Sequence, residues 1–256
     1  MYQTNNAFPS VKQPAPRTHS GITGSALKII ALISMLLDHI GALVLRPYTD
    51  SVLETAGYEA VRQQTELYEL LRSLGRFAFP IFCFLLVEGF LHTHNVWRYA
   101  ARLFFFALIT EIPFNLAFRD KLFSPDYQNV FIELLIGLLM LIALRKIEHL
   151  SINSFAKLSL GFLTATAAML LAHCIKADYS YRGILAIVIL YLFNFERKTQ
   201  AIAGAAAFVW ELPAPLAFIP IYFYNGKRGW EMKYFFYIFY PLHLFILYLI
   251  RLHILS

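Results

Sequence analysis

Long apolar runs separated by short polar connections recur from about residue 26 to residue 250. A membrane-spanning helix needs about 20 mostly apolar residues. Segments 26–45, 70–91, 99–118, 130–147 and 155–172 meet that requirement, 181–195 is shorter, and 234–250 closes the chain. Segment 201–224 is interrupted by Pro213, Pro215 and Pro220, so it reads either as one bent span or as two short half-depth segments. The pattern predicts an all-α integral membrane protein, a polytopic bundle of about eight or nine transmembrane helices. Residues 46–69, the one long external connection, carry mixed acidic and basic charge and suit a helix on the membrane surface.

Composition agrees. Of 256 residues 59% are hydrophobic and 15% charged, against about 25% charged in a soluble domain. The net charge of +6 does not point to nucleic acid, because the basic residues are scattered through short connections rather than striping one face. They act instead as topology signals. With nine spans and a cytoplasmic N-terminus, 13 Lys and Arg fall inside and eight outside, while Arg76 lies within a span. Eight spans give 11 against 10, almost no bias, so nine is preferred. Residues 1–23 are polar, contain Pro9, Pro14 and Pro16, and are expected to form a disordered cytoplasmic tail before a transmembrane domain over 24–256. Cys83 and Cys174 lie in or beside apolar runs and suggest neither a disulfide framework nor a metal cluster.

Charges inside apolar runs carry the functional signal, since each costs about 2.5–3.5 kcal/mol at mid-membrane. Depth sorts them at about 1.5 Å per helical residue. Asp38, His39, Arg76, Glu111, Asn129 and His243 form an outer layer, and Lys28, His92, Arg102 and Lys233 a mainly basic inner layer. Arg102 and Lys233 also suit snorkelling anchors at span ends. Glu88 and His92 are one turn apart, but with no third ligand a structural pair is the simpler reading and no metal is expected. Asp38 and His39 are adjacent ionisable groups in one span, which is costly without a use. Adjacent helical positions point about 100° apart, so Asp38 is expected to pair with Arg76 of the next span rather than orient His39.

Several stretches resemble the TraX family. They are Asp38-His39-Ile40-Gly41 with Lys28 before it, Gly75-Arg76-Phe77-Ala78-Phe79-Pro80, Glu88-Gly89-Phe90-Leu91-His92, and Glu111-Ile112-Pro113-Phe114-Asn115. Gln128-Asn129, Ala177-Asp178-Tyr179 and Tyr240-Pro241-Leu242-His243 continue the match in order. The family's namesake acetylates the N-terminus of a conjugative pilin subunit. The resemblance therefore implies an acetyltransferase of the bacterial cytoplasmic (inner) membrane, using acetyl-CoA as co-substrate and a pilin subunit or another membrane-presented peptide as acceptor. A weaker resemblance to acyltransferase-3 type membrane enzymes rests on a basic residue, ten residues and a histidine, the spacing of Lys28 and His39.

In such a reaction His39 would be the base, with Arg76 or Asn129 steadying the oxyanion. Asp38, Glu111 and His243 would complete the catalytic set, and Lys28, His92, Arg102 and Lys233 would hold the phosphates of CoA. Two other classes fit the same charges: a transporter or channel with an intramembrane site, and a non-catalytic scaffold for pilus assembly.

Overall fold

A computed structural model describes residues 21–231 and 233–255, without the side chain of Lys233. Helix α1 (Gly24–Ile40) continues through a π-helical turn (Gly41–Leu45) into α2 (Arg46–Ala56), followed by α3 (Tyr58–Gly75) and α4 (Ala78–His92). Then come α5 (Val96–Arg119), α6 (Val130–Glu148), α7 (Ser154–Cys174) and α8 (Ser180–Leu192). Helix α9 (Arg197–Ala207), a 3-10 turn (Ala214–Ala217), α10 (Phe218–Tyr222) and α11 (Lys233–Leu255) complete the described chain.

The boundaries follow local chemistry. Side-chain oxygens of Thr23, Asn95, Asn129 and Asn153 accept from the first-turn amides of α1, α5, α6 and α7, which satisfies donors a helix start leaves free. Gly57, at φ 78°, turns the chain between α2 and α3, a conformation glycine adopts without penalty. Asp120, at φ 54°, ends α5, the left-handed cap that a short polar side chain tolerates.

Five helical stretches are long and apolar enough to cross a membrane: Gly24–Ala56, Tyr58–His92, Val96–Arg119, Ser154–Cys174 and Tyr234–Leu255. Their outward faces are apolar. Phe104, Phe105 and Leu108 on α5, and Phe155, Phe162 and Leu163 on α7, are exposed, and only 11% of the most apolar window of α7 is buried inside the protein. Patches this large are lipid-facing surface in a multi-pass membrane protein.

The remaining expected spans fall short for identifiable reasons. Helix α6 covers 130–147, but it carries Glu133, Arg145 and Lys146. It buries Ile136, Leu138 and Leu141 and stands at the centre of the bundle with α4 and α8. Helix α8 has only 13 residues, about 20 Å. Segment 201–224 is two short pieces and not one bent helix: α9 and α10 have 11 and five residues. Their partners trace an excursion and return. Arg197 meets Glu88 near the end of α4, Glu211 meets Arg76 near its start, and Tyr224 bridges to Ile22 before α1.

Residues 46–69 also differ from expectation. They form a helical hairpin, α2 and most of α3, that extends α1 into one 33-residue helix instead of lying as one helix on a membrane surface. Of the expected tail, residues 1–20 lie outside the described residues. Gly21 accepts from Asn225 Nδ2 at 2.9 Å and Ile22 donates its amide to Phe223 at 3.0 Å, so ordered contacts begin before residue 24.

Candidate functional site

At the end of the bundle where α1 passes into its π-helical turn lies a cavity of about 460 Å³. Asp38, His39, Arg72, Arg76, Asp178 and Glu211 bring charge and acid–base chemistry to its wall, beside His173, Arg182 and a mainly aromatic remainder. Turns of π-helix inside longer helices are frequent at functional sites, and this one follows His39 by a single residue.

Hydrogen bonding fixes the state of His39. Its Nδ1 lies 2.6 Å from Nε2 of His243, and Nδ1 of His243 lies 2.7 Å from the carbonyl oxygen of Phe239. A carbonyl only accepts, so His243 Nδ1 carries a proton and donates it. Neutral His243 then offers a lone pair at Nε2, to which His39 Nδ1–H donates. The proton-free nitrogen of His39 is therefore Nε2, which has no hydrogen-bond partner among the described residues. The rings are nearly coplanar and meet edge to edge, with 4.9 Å between centroids and 13° between planes. His243 comes from α11, 204 positions away; it braces His39 from behind and is not on the cavity wall.

Two ion pairs border His39. Arg72 Nη1 stands 2.5 Å from Asp38 Oδ2, and Arg76 Nη1 stands 2.7 Å from Glu211 Oε1. Asp38 thus pairs with Arg72 and not with Arg76 as the sequence suggested. The reason is close packing at Gly75, where a Cβ atom would sit 2.3 Å from Asp38. That contact brings α3 onto the Asp38 side chain and places Arg72, one turn before Arg76, across from it. Arg76 turns towards the proline-rich loop instead. Each pair leaves one carboxylate oxygen, Asp38 Oδ1 and Glu211 Oε2, buried without a partner.

The α7–α8 connection supplies a third acid. Glu133 Oε2 accepts from the backbone amides of Tyr179 at 2.8 Å and Ser180 at 3.1 Å, a carboxylate at a helix start. A Cβ on Gly183 would lie 2.2 Å from Glu133, so that glycine is what admits the carboxylate. Asp178, held next to this clamp, accepts from the Tyr127 hydroxyl. Burial pushes the Asp178 carboxyl up to about 6, against the pull of the Tyr127 hydrogen bond. Burial likewise pushes Glu211 up to about 7, opposed by Arg76. The cavity wall therefore holds two acids whose carboxyls burial raises towards neutrality.

Glu111 and Asn129 are brought together, but away from the cavity wall. Asn129 Nδ2 donates to Ala107 O at 3.1 Å and to Glu111 Oε2 at 2.9 Å, while its Oδ1 caps α6 through the amide of Phe131 at 3.1 Å. Both amide hydrogens are used, so Asn129 has none left for an oxyanion; with Glu111 it ties α5 to α6. Arg72, Asp178 and Glu211 were not singled out as site residues. Arg72 falls at the outer end of segment 70–91, where a basic residue reads as a topology signal. Glu211 lies in a proline-rich turn, and only Asp178 had a signal, within Ala177-Asp178-Tyr179.

A second cavity, of about 590 Å³, opens at the opposite end of the bundle. Lys28, His92 and Arg102 line it together with Arg98 and Arg228, giving an almost wholly basic set. Lys28 Nζ sits 5.0 Å over the ring of Phe236, and Arg102 Nε is buried without a partner. His92 Nδ1 donates to the Glu88 carbonyl at 2.9 Å, while the Glu88 carboxylate binds Arg197 at 3.0 Å. Glu88 is thus committed to an ion pair, and among the described residues no three His, Cys, Asp or Glu gather as metal ligands. The position assigned to the Lys233 side chain lies outside the described residues. Phe82 alone, among the described residues, lines both cavities.

Comparisons with known proteins place the chain in a family. No solved structure matches the chain. A protein of Dichelobacter nodosus described as "Probable fimbrial assembly protein FimC, serogroup H1" is 32% identical, the match covering 86% of this chain and 92% of that protein. The family described as TraX protein matches residues 23–251. That match spans nearly the whole transmembrane region, and the chain belongs to the TraX family.

Proposed function

We propose that this protein is a membrane-embedded acetyltransferase that moves an acetyl group from acetyl-CoA to the N-terminal amine of a pilin or fimbrial subunit during pilus assembly. The family is known for pilin acetylation, and the name of the D. nodosus relative supports the assembly context. The observation that carries the chemistry is the His39–His243 relay, which leaves a proton-free Nε2 on a histidine of the cavity wall.

The acceptor amine arrives as an ammonium, and the carboxylates of Asp38 and Glu211 on the cavity wall suit it. After the ammonium gives one proton to solvent water, the neutral amine attacks the thioester carbonyl carbon, a nitrogen–carbon bond forms and the carbonyl π pair moves onto oxygen. His39 Nε2 takes the remaining surplus proton, and its Nδ1–H bond to His243 spreads the charge. Arg76 has five N–H donors and spends them in part on Glu211 and the Tyr179 hydroxyl, so the remaining ones can meet the oxyanion. The carbon–sulfur bond then breaks, and His39 returns its proton to the departing thiolate. Amide and free CoA thiol result.

The donor supplies an activated acetyl group and brings phosphates. The inner cavity fits them: Lys28, Arg98, Arg102 and Arg228 line it, and the buried Arg102 Nε lacks a partner. Lys28 and His39 are about 16 Å apart along α1, a span an extended pantetheine arm covers. Incubating the purified protein with acetyl-CoA and a peptide bearing a free N-terminus tests the proposal by mass spectrometry; a product heavier by one acetyl group is expected. Two cavities end to end also suit a transporter, which would have no reason to bind CoA.

A further inference from the structure

We propose that the ring of Phe82 is the partition between the two cavities and that the acyl group must pass it, so that Phe82 limits the size of group transferred. The size limit rests on the acetyltransferase reading; the partition does not. Phe82 lies six residues after Arg76, which precedes α4 and lines the outer cavity, and six before Glu88 of the inner one, about 9 Å away along α4. It is the shared wall, and it is partly buried against the core. Its neighbours Ile81 and Cys83 are fully buried at 0%, so the backbone there is held in packed surroundings and the ring is the part of α4 presented to both spaces.

An aromatic layer continues the partition at this depth. Phe131 meets Tyr240 edge-on at 5.2 Å and Tyr237 at 6.0 Å, with Tyr240 on the outer wall and Phe131 and Tyr237 on the inner. Donor phosphates bound by the inner cations would leave the thioester to reach past this layer to His39. A small acyl group passes beside a phenyl ring more readily than a long one, and each methylene in a fitted passage is worth about 10–200-fold in kcat/KM.

Two measurements test this. The first needs no activity. Leu85, on the inner wall one turn from Phe82, is changed to Cys in a background of Cys83→Ala and Cys174→Ser. A charged thiol reagent is then applied to sealed vesicles from the outer-cavity side. Leu85→Cys should be protected while Phe82 is present, and with Phe82→Ala it should react nearly as fast as from the inner side. Phe82→Leu replaces the alanine variant if the latter does not fold, and Phe82→Trp should stay closed. Equal labelling with and without the ring would overturn the partition.

The second measurement compares acetyl-CoA with butyryl-CoA. Phe82→Ala should raise the butyryl-to-acetyl ratio of kcat/KM by about tenfold or more, and an unchanged ratio would overturn the size limit. If the wild-type protein transfers no acyl group, the acetyltransferase reading and with it the size limit fail, while the labelling still decides the partition.

Discussion

His39 Nδ1 stands 2.6 Å from His243 Nε2, and the far nitrogen of His243 is tied to the Phe239 carbonyl at 2.7 Å. This chain of two hydrogen bonds fixes both tautomers. Replacing His243 by Ala should remove the acceptor that orients His39, lowering the maximal rate of acetyl transfer at saturating acetyl-CoA. Gln at 243 keeps an acceptor and should retain more of the rate. If both variants lose the same amount, His243 serves packing rather than orientation.

Asp38 and Arg72, with side chains 17% and 24% exposed, form the partly buried pair beside the base. Removing either partner leaves a charge poorly solvated, at a cost of up to about 3 kcal/mol. Thermal melts should show Asp38→Ala and Arg72→Ala each destabilised, with the double variant less so than the sum. Coupling of Asp38 to Arg76 should be weaker, because Arg76 is held by Glu211 at 2.7 Å. Stronger coupling to Arg76 would contradict this arrangement.

Glu211 and Asp178 give the site a pH dependence. Their carboxyls are raised to about 7 and about 6 by burial, so they hold protons more tightly folded than unfolded. That contribution to stability is complete below the ordinary carboxylate range and is lost as pH rises through about 7. Charge to hold an ammonium appears over the same interval. The acceptor KM should therefore fall as pH rises from about 5.5 to 7.5, and Glu211→Gln should remove the upper part of that change. A KM profile unaltered by Glu211→Gln would exclude the residue from acceptor binding.

Sequence alone located the apolar helices because burial in lipid demands long uninterrupted runs, and it located Asp38 and His39 because charge inside such a run is costly. Depth arithmetic set His39 level with His243, as found, and Asp38 level with Arg76, although its partner is Arg72. It could not set the direction each side chain faces. Glu111 and Asn129 share the depth of the site but turn towards each other between α5 and α6, and the closeness of α3 at Gly75, which hands Asp38 to Arg72, has no local sequence signal. Glu211 is brought in by a fold-back that proline spacing hinted at without giving its partner.

The inner cavity should report on the donor. Each lost charge-assisted phosphate contact is worth about 1.5–3 kcal/mol. Lys28→Ala and Arg102→Ala should therefore raise the acetyl-CoA KM by about tenfold or more, with little change in the maximal rate. CoA should also raise the melting temperature of the wild-type protein, and less so that of these variants. Equal stabilisation of all three would remove Lys28 and Arg102 from the donor site.

Whether His39 is the base of an acetyl transfer is decided by a single assay. Purified wild-type protein and His39→Ala, both shown to be folded by their thermal melts, are given acetyl-CoA and a pilin-derived peptide with a free N-terminus, and the acetylated product is followed by mass spectrometry. The wild type should acetylate the N-terminal nitrogen, and His39→Ala should show a maximal rate at least about 10²-fold lower, with CoA binding unchanged. Acetyl transfer by His39→Ala within about tenfold of the wild type, or no transfer by folded wild-type protein, would contradict that role of His39.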